Sequence, residues 1–165
     1  MKLLLLDLDG TVRESASGKT FIGQPDDQKL IDGATEAIAR YPNWTKIGIT
    51  NQGGVAAGHK SLGDAIAEQH ITLQLLPELD WIYFCPTYDG KTCWKVERHN
   101  SFEIKQFFIL ESGSFRKPGP GMINLALRQF DVEECLYVGD RPEDEQAATA
   151  AGVPFMWAHE WRTSI

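Results

Sequence analysis

Residues 3–8 read Leu-Leu-Leu-Leu-Asp-Leu, an apolar run of one strand's length with no polar alternation, as in a strand buried on both faces. Residues 33–40 then carry Ala34, Ala37 and Ile38 at helical spacing before Pro42 stops the helix. A second short strand is predicted over residues 46–50, and a longer helix over residues 61–76, with Leu62, Ala65, Ile66, Leu73 and Leu76 near one face and Ser61 and Asp64 placed as a capping box. The alternation continues with a strand at 81–85, a helix at 119–130 with Pro120 in its first turn, a strand at 136–138, a helix at 141–151 closed by Gly152, and a strand at 153–157. Strands separated by helices predict an α/β fold, with a central parallel sheet of five core strands, helices on both faces and the first strand in the middle.

Two stretches break the rhythm. Residues 12–24 are polar with Gly18 and Gly23, and read as a flap after the first strand. Residues 86–116 are longer; within them 92–97 and 102–110 read as the arms of a hairpin. Both follow strand C-termini, the edge at which open α/β sheets bind ligands. The whole chain, 1–165, is read as one domain carrying this flap and this insert.

Composition narrows the class. Apolar residues make up 42% and charged residues 24%, which supports a packed core, and the formal net charge of -7 disfavours nonspecific binding to nucleic acid or anionic membrane. Cys85, Cys93 and Cys135 are too few and scattered for a disulfide framework, so a reducing cytoplasm is expected. The apolar run at 3–6 is too short for a signal-peptide core or a membrane span. A single closed domain of this size is expected to be monomeric.

Four polar segments carry the chemistry. Asp7-Leu8-Asp9-Gly10-Thr11-Val12 sends two carboxylates off the end of a buried strand into a glycine turn. Thr50-Asn51-Gln52-Gly53-Gly54, again after a strand, offers a hydroxyl, amides and open backbone to a phosphate oxygen. Arg116-Lys117-Pro118 supplies cations before a helix. Gly139-Asp140-Arg141-Pro142-Glu143-Asp144 adds two carboxylates; read for structure alone, it is a helix start with Asp140 as N-cap and Glu143 completing a capping box. Each segment alone is also ordinary turn or cap chemistry. Together they would cluster Asp7, Asp9, Asp140 and Asp144, and clustered carboxylates repel one another unless a cation intervenes. All-oxygen ligation favours Mg²⁺. A P-loop at Gly18-Lys19-Thr20 is excluded, because the glycine it needs falls on Arg13.

These four motifs, in this order, resemble those of the haloacid dehalogenase superfamily of phosphatases, and the match runs over almost the whole chain. The wording Thr-Asn-Gln-Gly-Gly and Arg-Lys-Pro-Gly-Pro-Gly-Met is similar to the branch of histidinol-phosphate phosphatase, heptose-bisphosphate phosphatase and the polynucleotide 3′-phosphatases. The resemblance implies a Rossmann-like three-layer fold with no large cap domain, and a Mg²⁺-dependent phosphomonoesterase working through an aspartyl-phosphate. It implies Asp7 as nucleophile and Asp9 as general acid and base. Thr50, Asn51 and Lys117 would bind the phosphate. The metal would take Asp7, the backbone carbonyl of Asp9, Asp140 and, directly or through its sphere, Asp144. Asp9 must start protonated although a nearby cation favours its ionised form. Heptose-bisphosphate relatives carry a structural zinc held by four ligands; here the corresponding positions are Cys85, Thr87, Gly113 and Phe115, so no zinc is expected.

The expected substrate is a small cytosolic phosphate ester such as a sugar phosphate. A nucleic-acid 3′-phosphate end is the alternative, and a catalytically silent binding domain on the same fold the reading from another class. Substrate choice is assigned to the insert through Tyr88, Trp94 and Arg116. The insert's other aromatics are Phe102, Phe107 and Phe108, and its other cations Lys91, Lys95, Arg98 and Lys105.

Overall fold

The computed structural model describes residues 1–104 and 113–164. The first strand, β1 (Lys2–Leu6), pairs in parallel with β4 (Thr45–Asn51) on one side and β8 (Glu134–Gly139) on the other. Outside these lie β5 (Trp81–Cys85) beside β4 and β9 (Phe155–Trp157) beside β8, both parallel, so β1 is central among five parallel strands as the alternation predicts. The hairpin of the insert, β6 (Trp94–Val96) and β7 (Ser101–Glu103), adds antiparallel to β5 and extends the sheet to seven strands. Its second arm is described only to Glu103; Lys105, Phe107 and Phe108 lie outside the described residues.

Alternation within each strand sends successive side chains to opposite faces, and both faces are covered. Leu4, Leu6, Leu8, Ile82, Phe84 and Val138 pack on one side against α1 (Ala34–Ala39), α3 (Leu62–Leu75) and the C-terminal α6 (Ala158–Thr163), whose Trp161 is fully buried. On the other side Leu3, Leu5, Ile47, Ile49, Tyr83 and Tyr137 meet α4 (Gly121–Arg128) and α5 (Pro142–Ala151). A one-turn helix, α2 (Gly53–Ala56), follows β4. The result, among the described residues, is three layers with no large cap domain, as the resemblance implies.

The boundaries differ in informative ways. Ser61 caps α3 by accepting the Asp64 N–H at 3.0 Å. Helix α5 begins at Pro142, so its N-cap is Arg141 rather than Asp140, and the capping-box carboxylate is Asp144 rather than Glu143. Trp157, at the end of β9, stands edge-on to Phe155 and stays 36% exposed. The segment after β1 forms a two-stranded ribbon, β2 (Arg13–Glu14) against β3 (Lys29–Leu30), with residues 15–28 between them. Among the described residues, no helix is long and apolar enough to cross a membrane.

Candidate active site

The order β4–β1–β8 makes a topological switch point at β1, where connections leave toward both flanks. Asp7 and Asp9 follow β1, Thr50 is the last residue but one of β4 and Asp140 follows β8, so three of the four motifs meet at one strand edge. They line an open cleft of about 1000 Å³, at the upper end of small-ligand sites.

At its floor, carboxylate oxygens of Asp7, Asp140 and Asp144 lie within 4.8 Å of one another. Lys117 is buried among them. Its Nζ donates to Asp7 Oδ1 and Asp144 Oδ1, both at 2.7 Å, to the Ile49 carbonyl at 3.0 Å and toward the Tyr137 hydroxyl at 3.1 Å. Burial alone would push the Lys117 ammonium down, but Asp7, Tyr137 and Asp144 hold it well above the ordinary lysine range. One ammonium does not balance three carboxylates. Burial pushes the Asp7 carboxyl well up; Lys117 opposes this, while Asp144 and Asp140 add to it. Asp140 is raised too, by burial first and by Asp144, with a hydrogen bond from Asp7 opposing. This excess negative charge on an all-oxygen donor set fits a hard divalent cation such as Mg²⁺.

Asp144 has little left to offer a metal directly. Its Oδ1 accepts from Lys117 and, at 2.8 Å, from Tyr137, and its Oδ2 accepts the backbone N–H of Asp140 and Arg141 at 3.2 and 3.1 Å. Those bonds fix the loop that presents Asp140. Gly139 lets this carboxylate close, since a Cβ there would lie 2.4 Å from the Asp144 Cβ. Gly10 is required twice over. Its φ is +83°, and a Cβ would sit 2.1 Å from Asp140 Oδ2. Gly10→Ala is expected to lower stability by about 1–2 kcal/mol and, by displacing Asp140, to cut turnover by about 10²-fold; thermal melting and steady-state kinetics of the variant check both.

Asp9 turns the other way. Its side chain is 47% exposed to the cleft, and its inner edge is held by Arg13, whose Nε donates to Oδ1 at 3.0 Å. Burial acts to raise the Asp9 carboxyl, but the Arg13 guanidinium, together with Lys60 and Lys117, holds the group below the usual carboxylate range. Thr50 Oγ1 and Gln52 Nε2 make long contacts to Asp9 Oδ2 at 3.4 and 3.3 Å.

Two expected site residues serve differently. Asn51 spends its side-chain amide on the backbone of Lys117: its Nδ2 donates to the Lys117 carbonyl and its Oδ1 accepts the Lys117 N–H, both at 3.0 Å. It ties the second motif to the third instead of offering that amide to a phosphate. Trp94 is half-buried against the core and lies outside the residues lining the cleft. Tyr88, 60% exposed, does line it, with the Arg116 guanidinium 5.1 Å from its ring centroid. Arg116 Nη1 is buried and has no hydrogen-bond acceptor among the described residues.

Sequence reasoning passed over Arg13, Lys60, Glu68, Thr11 and Tyr137. Thr11 donates to Asp7 Oδ2 at 3.0 Å. Lys60 bridges Glu68 Oε1 at 2.7 Å and Gln52 Oε1 at 3.3 Å. Where the resemblance would place a zinc, Phe115 and Cys93 are fully buried with Cys85, and Cys85 Sγ donates to the Thr87 carbonyl at 3.4 Å. Burial pushes both thiols up.

Comparison with known proteins decides the family. The D-glycero-beta-D-manno-heptose-1,7-bisphosphate 7-phosphatase of Bordetella bronchiseptica is 33% identical over 162 residues, covering 92% of this chain and 77% of that protein. The chain belongs to the haloacid dehalogenase-like hydrolases. A profile of that family, described as haloacid dehalogenase-like hydrolase, matches residues 95–158. A second phosphatase of this family, the D-glycero-alpha-D-manno-heptose-1,7-bisphosphate 7-phosphatase of Burkholderia mallei, is 30% identical, covering 92% of this chain and 76% of its own. The crystal structure of the B. bronchiseptica enzyme, complexed with magnesium and phosphate, superposes with a TM-score of 0.67 at 32% identity, covering 94% of this chain and 79% of that one. As a haloacid dehalogenase-like hydrolase of this branch, the protein is a phosphoric monoester hydrolase.

Proposed function

We propose that this enzyme is a Mg²⁺-dependent phosphatase of a small sugar phosphate, in which Asp7 is the nucleophile. The observation that carries the reading is the set of three converging carboxylates with one buried lysine at the β1 edge. Asp7, Asp140 and the backbone carbonyl of Asp9 would hold the Mg²⁺, with Asp144 orienting Asp140 and Lys117. The bound cation supplies charge to set against the carboxylates and the substrate phosphate.

The chain's own groups do the rest. An Asp7 carboxylate oxygen attacks phosphorus in line with the leaving oxygen, and the bond to that oxygen breaks. Lys117 and Thr50 hold the phosphoryl oxygens as charge moves onto them. Asp9 gives its proton to the departing oxygen, then takes one from the water that attacks phosphorus of the aspartyl-phosphate, and the bond from phosphorus to the Asp7 oxygen breaks to release phosphate and restore the Asp7 carboxylate. Arg13 favours ionised Asp9 in the free site; the negative charge of an arriving phosphate favours the protonated form and supplies the acid when it is needed.

The relatives' names support a sugar bisphosphate as substrate. Arg116, with its acceptor-free Nη1 against Tyr88, is the group placed to meet a second anionic centre. A nucleic-acid 3′-phosphate is the second reading, favoured by Phe21 and Tyr88, two rings 74% and 60% exposed on the cleft lining and able to stack on a base. The free cysteines support a reducing, cytoplasmic setting. Phosphate release from sugar bisphosphates, nucleotides and 3′-phosphorylated oligonucleotides, with Mg²⁺ and with excess chelator, tests the proposal. Turnover is expected to vanish in chelator, return with Mg²⁺ and be fastest on a sugar bisphosphate; full activity in chelator would refute the metal assignment.

A further inference from the structure

Among the described residues Arg13 is the largest charged side chain fully enclosed, and the phosphatase mechanism above uses only its charge, as a bias on Asp9. Every donor of its guanidinium is used. Nε and Nη2 straddle the Asp9 carboxylate at 3.0 and 3.3 Å, Nη2 also reaches Glu68 Oε2 at 2.9 Å, and Nη1 donates to Gln69 Oε1 at 2.9 Å and to Thr72 Oγ1. Glu68, Gln69 and Thr72 all come from α3, and each is buried. Glu68 is held in turn by Lys60, and Thr72 donates to Gln28 Oε1 at 2.6 Å.

The backbone of Arg13 is pinned as well. Its carbonyl accepts the Gly10 N–H at 2.9 Å, its N–H donates to Leu8, and it pairs with Leu30 at the root of the ribbon. The guanidinium is therefore a fixed fork. A planar fork meeting both oxygens of a carboxylate sets the orientation of that carboxylate as well as its distance. Asp9 is half-exposed and, left alone, would sample several rotamers in the cleft; Arg13 leaves it one. Buried ion pairs add little net stability on average, so a charge ladder from α3 to a half-exposed aspartate is poorly explained as a device for holding the fold.

We infer that Arg13 is a positioning residue, which aims the Asp9 carboxyl at the leaving oxygen and transmits that aim from α3. The inference rests on the phosphatase reading above and deepens it. Its signature is leaving-group dependence. Departure of an alkoxide needs the proton that Asp9 delivers, whereas dinitrophenolate leaves without one.

The test is the pre-steady-state release of the leaving group from glycerol phosphate and from dinitrophenyl phosphate by the full-length Mg²⁺-loaded protein. Arg13→Gln is expected to slow the burst from the glycerol ester about 10²-fold, the scale of a misplaced general acid, and that from the dinitrophenyl ester by less than a tenth of that factor, with the change in the maximal burst rate and not in the ester concentration that half-saturates it. Arg13→Lys keeps the buried charge but loses the fork, and is expected to fall between the native enzyme and Arg13→Gln; it serves if the glutamine variant does not fold. In an Asp9→Asn background, either Arg13 substitution should leave the ratio of the two rates where Asp9→Asn puts it. Equal slowing on both esters, or a further change of ratio in that background, would overturn the inference while leaving the phosphatase reading intact. Absence of turnover by the native protein on both esters would instead refute that reading.

Discussion

Asp7→Asn is expected to abolish turnover, by about 10⁴-fold or more, the scale set by removing a nucleophile from an intact site. Asparagine keeps the shape and its Oδ1 still accepts from Lys117, so the loss should come without unfolding. Stability should rise, if it moves at all, because Asp7 sits beside Asp140 and Asp144, and Lys117, the cation bonded to Asp7, carries one charge against three carboxylates. The combination of a dead enzyme and an undiminished melting temperature separates a nucleophile from a structural carboxylate. Circular dichroism melts without added Mg²⁺, alongside a turnover assay with it, read the two halves. A variant that retains a tenth of native turnover would remove Asp7 from the chemistry.

Lys117→Met is expected to do the opposite to stability. The methionine fills similar volume but leaves Asp7, Asp140 and Asp144 without their shared cation, and removing one partner of a buried ion pair costs about 3–5 kcal/mol. The carbonyl of Ile49 and the hydroxyl of Tyr137 lose a partner too. Turnover should fall by about 10²–10³-fold as the phosphoryl oxygens lose a fixed positive charge. Part of the stability should return with Mg²⁺, and more than Mg²⁺ adds to the native protein, because the ion substitutes for the missing ammonium. Denaturant titrations with and without Mg²⁺ give the comparison. Equal Mg²⁺ stabilisation of native and variant protein would mean that lysine and metal do not share the same carboxylates.

The fold was readable because its signals are local. Residues 3–8 are apolar without alternation because both sheet faces are covered, and the first, second and fourth motifs stand at strand ends where a parallel sheet must place them. Arg13 was not readable in the same way. It lies in a polar stretch that looks like solvated loop, and its burial depends on α3, more than fifty residues later. A trace exists: Glu68, Gln69 and Thr72 fall on the buried face between Ala65 and Leu73, so the helix carries polar residues along its inward stripe. Such an inward polar stripe signals a buried polar partner, though not which one. The Asp140–Glu143 cap was misplaced by one residue for a local reason. Pro142 takes the first helical position, which moves the cap to Arg141 and frees Asp140 to face the site. Asn51 and Trp94 have the right chemistry for a ligand site, but the first is committed to the Lys117 backbone and the second to the core, and neither commitment is written in the neighbouring sequence.

The central claim is that phosphorus passes through Asp7 before it reaches water, and stereochemistry at phosphorus tests it most directly. Two in-line displacements, first by Asp7 and then by water, return phosphorus to its original configuration, whereas one direct attack by water inverts it. Hydrolysis of a phosphorothioate ester made chiral by oxygen isotopes, in water carrying the third isotope, is expected to give thiophosphate of retained configuration. Clean inversion would contradict the account, because it would leave Asp7 no covalent part in the reaction.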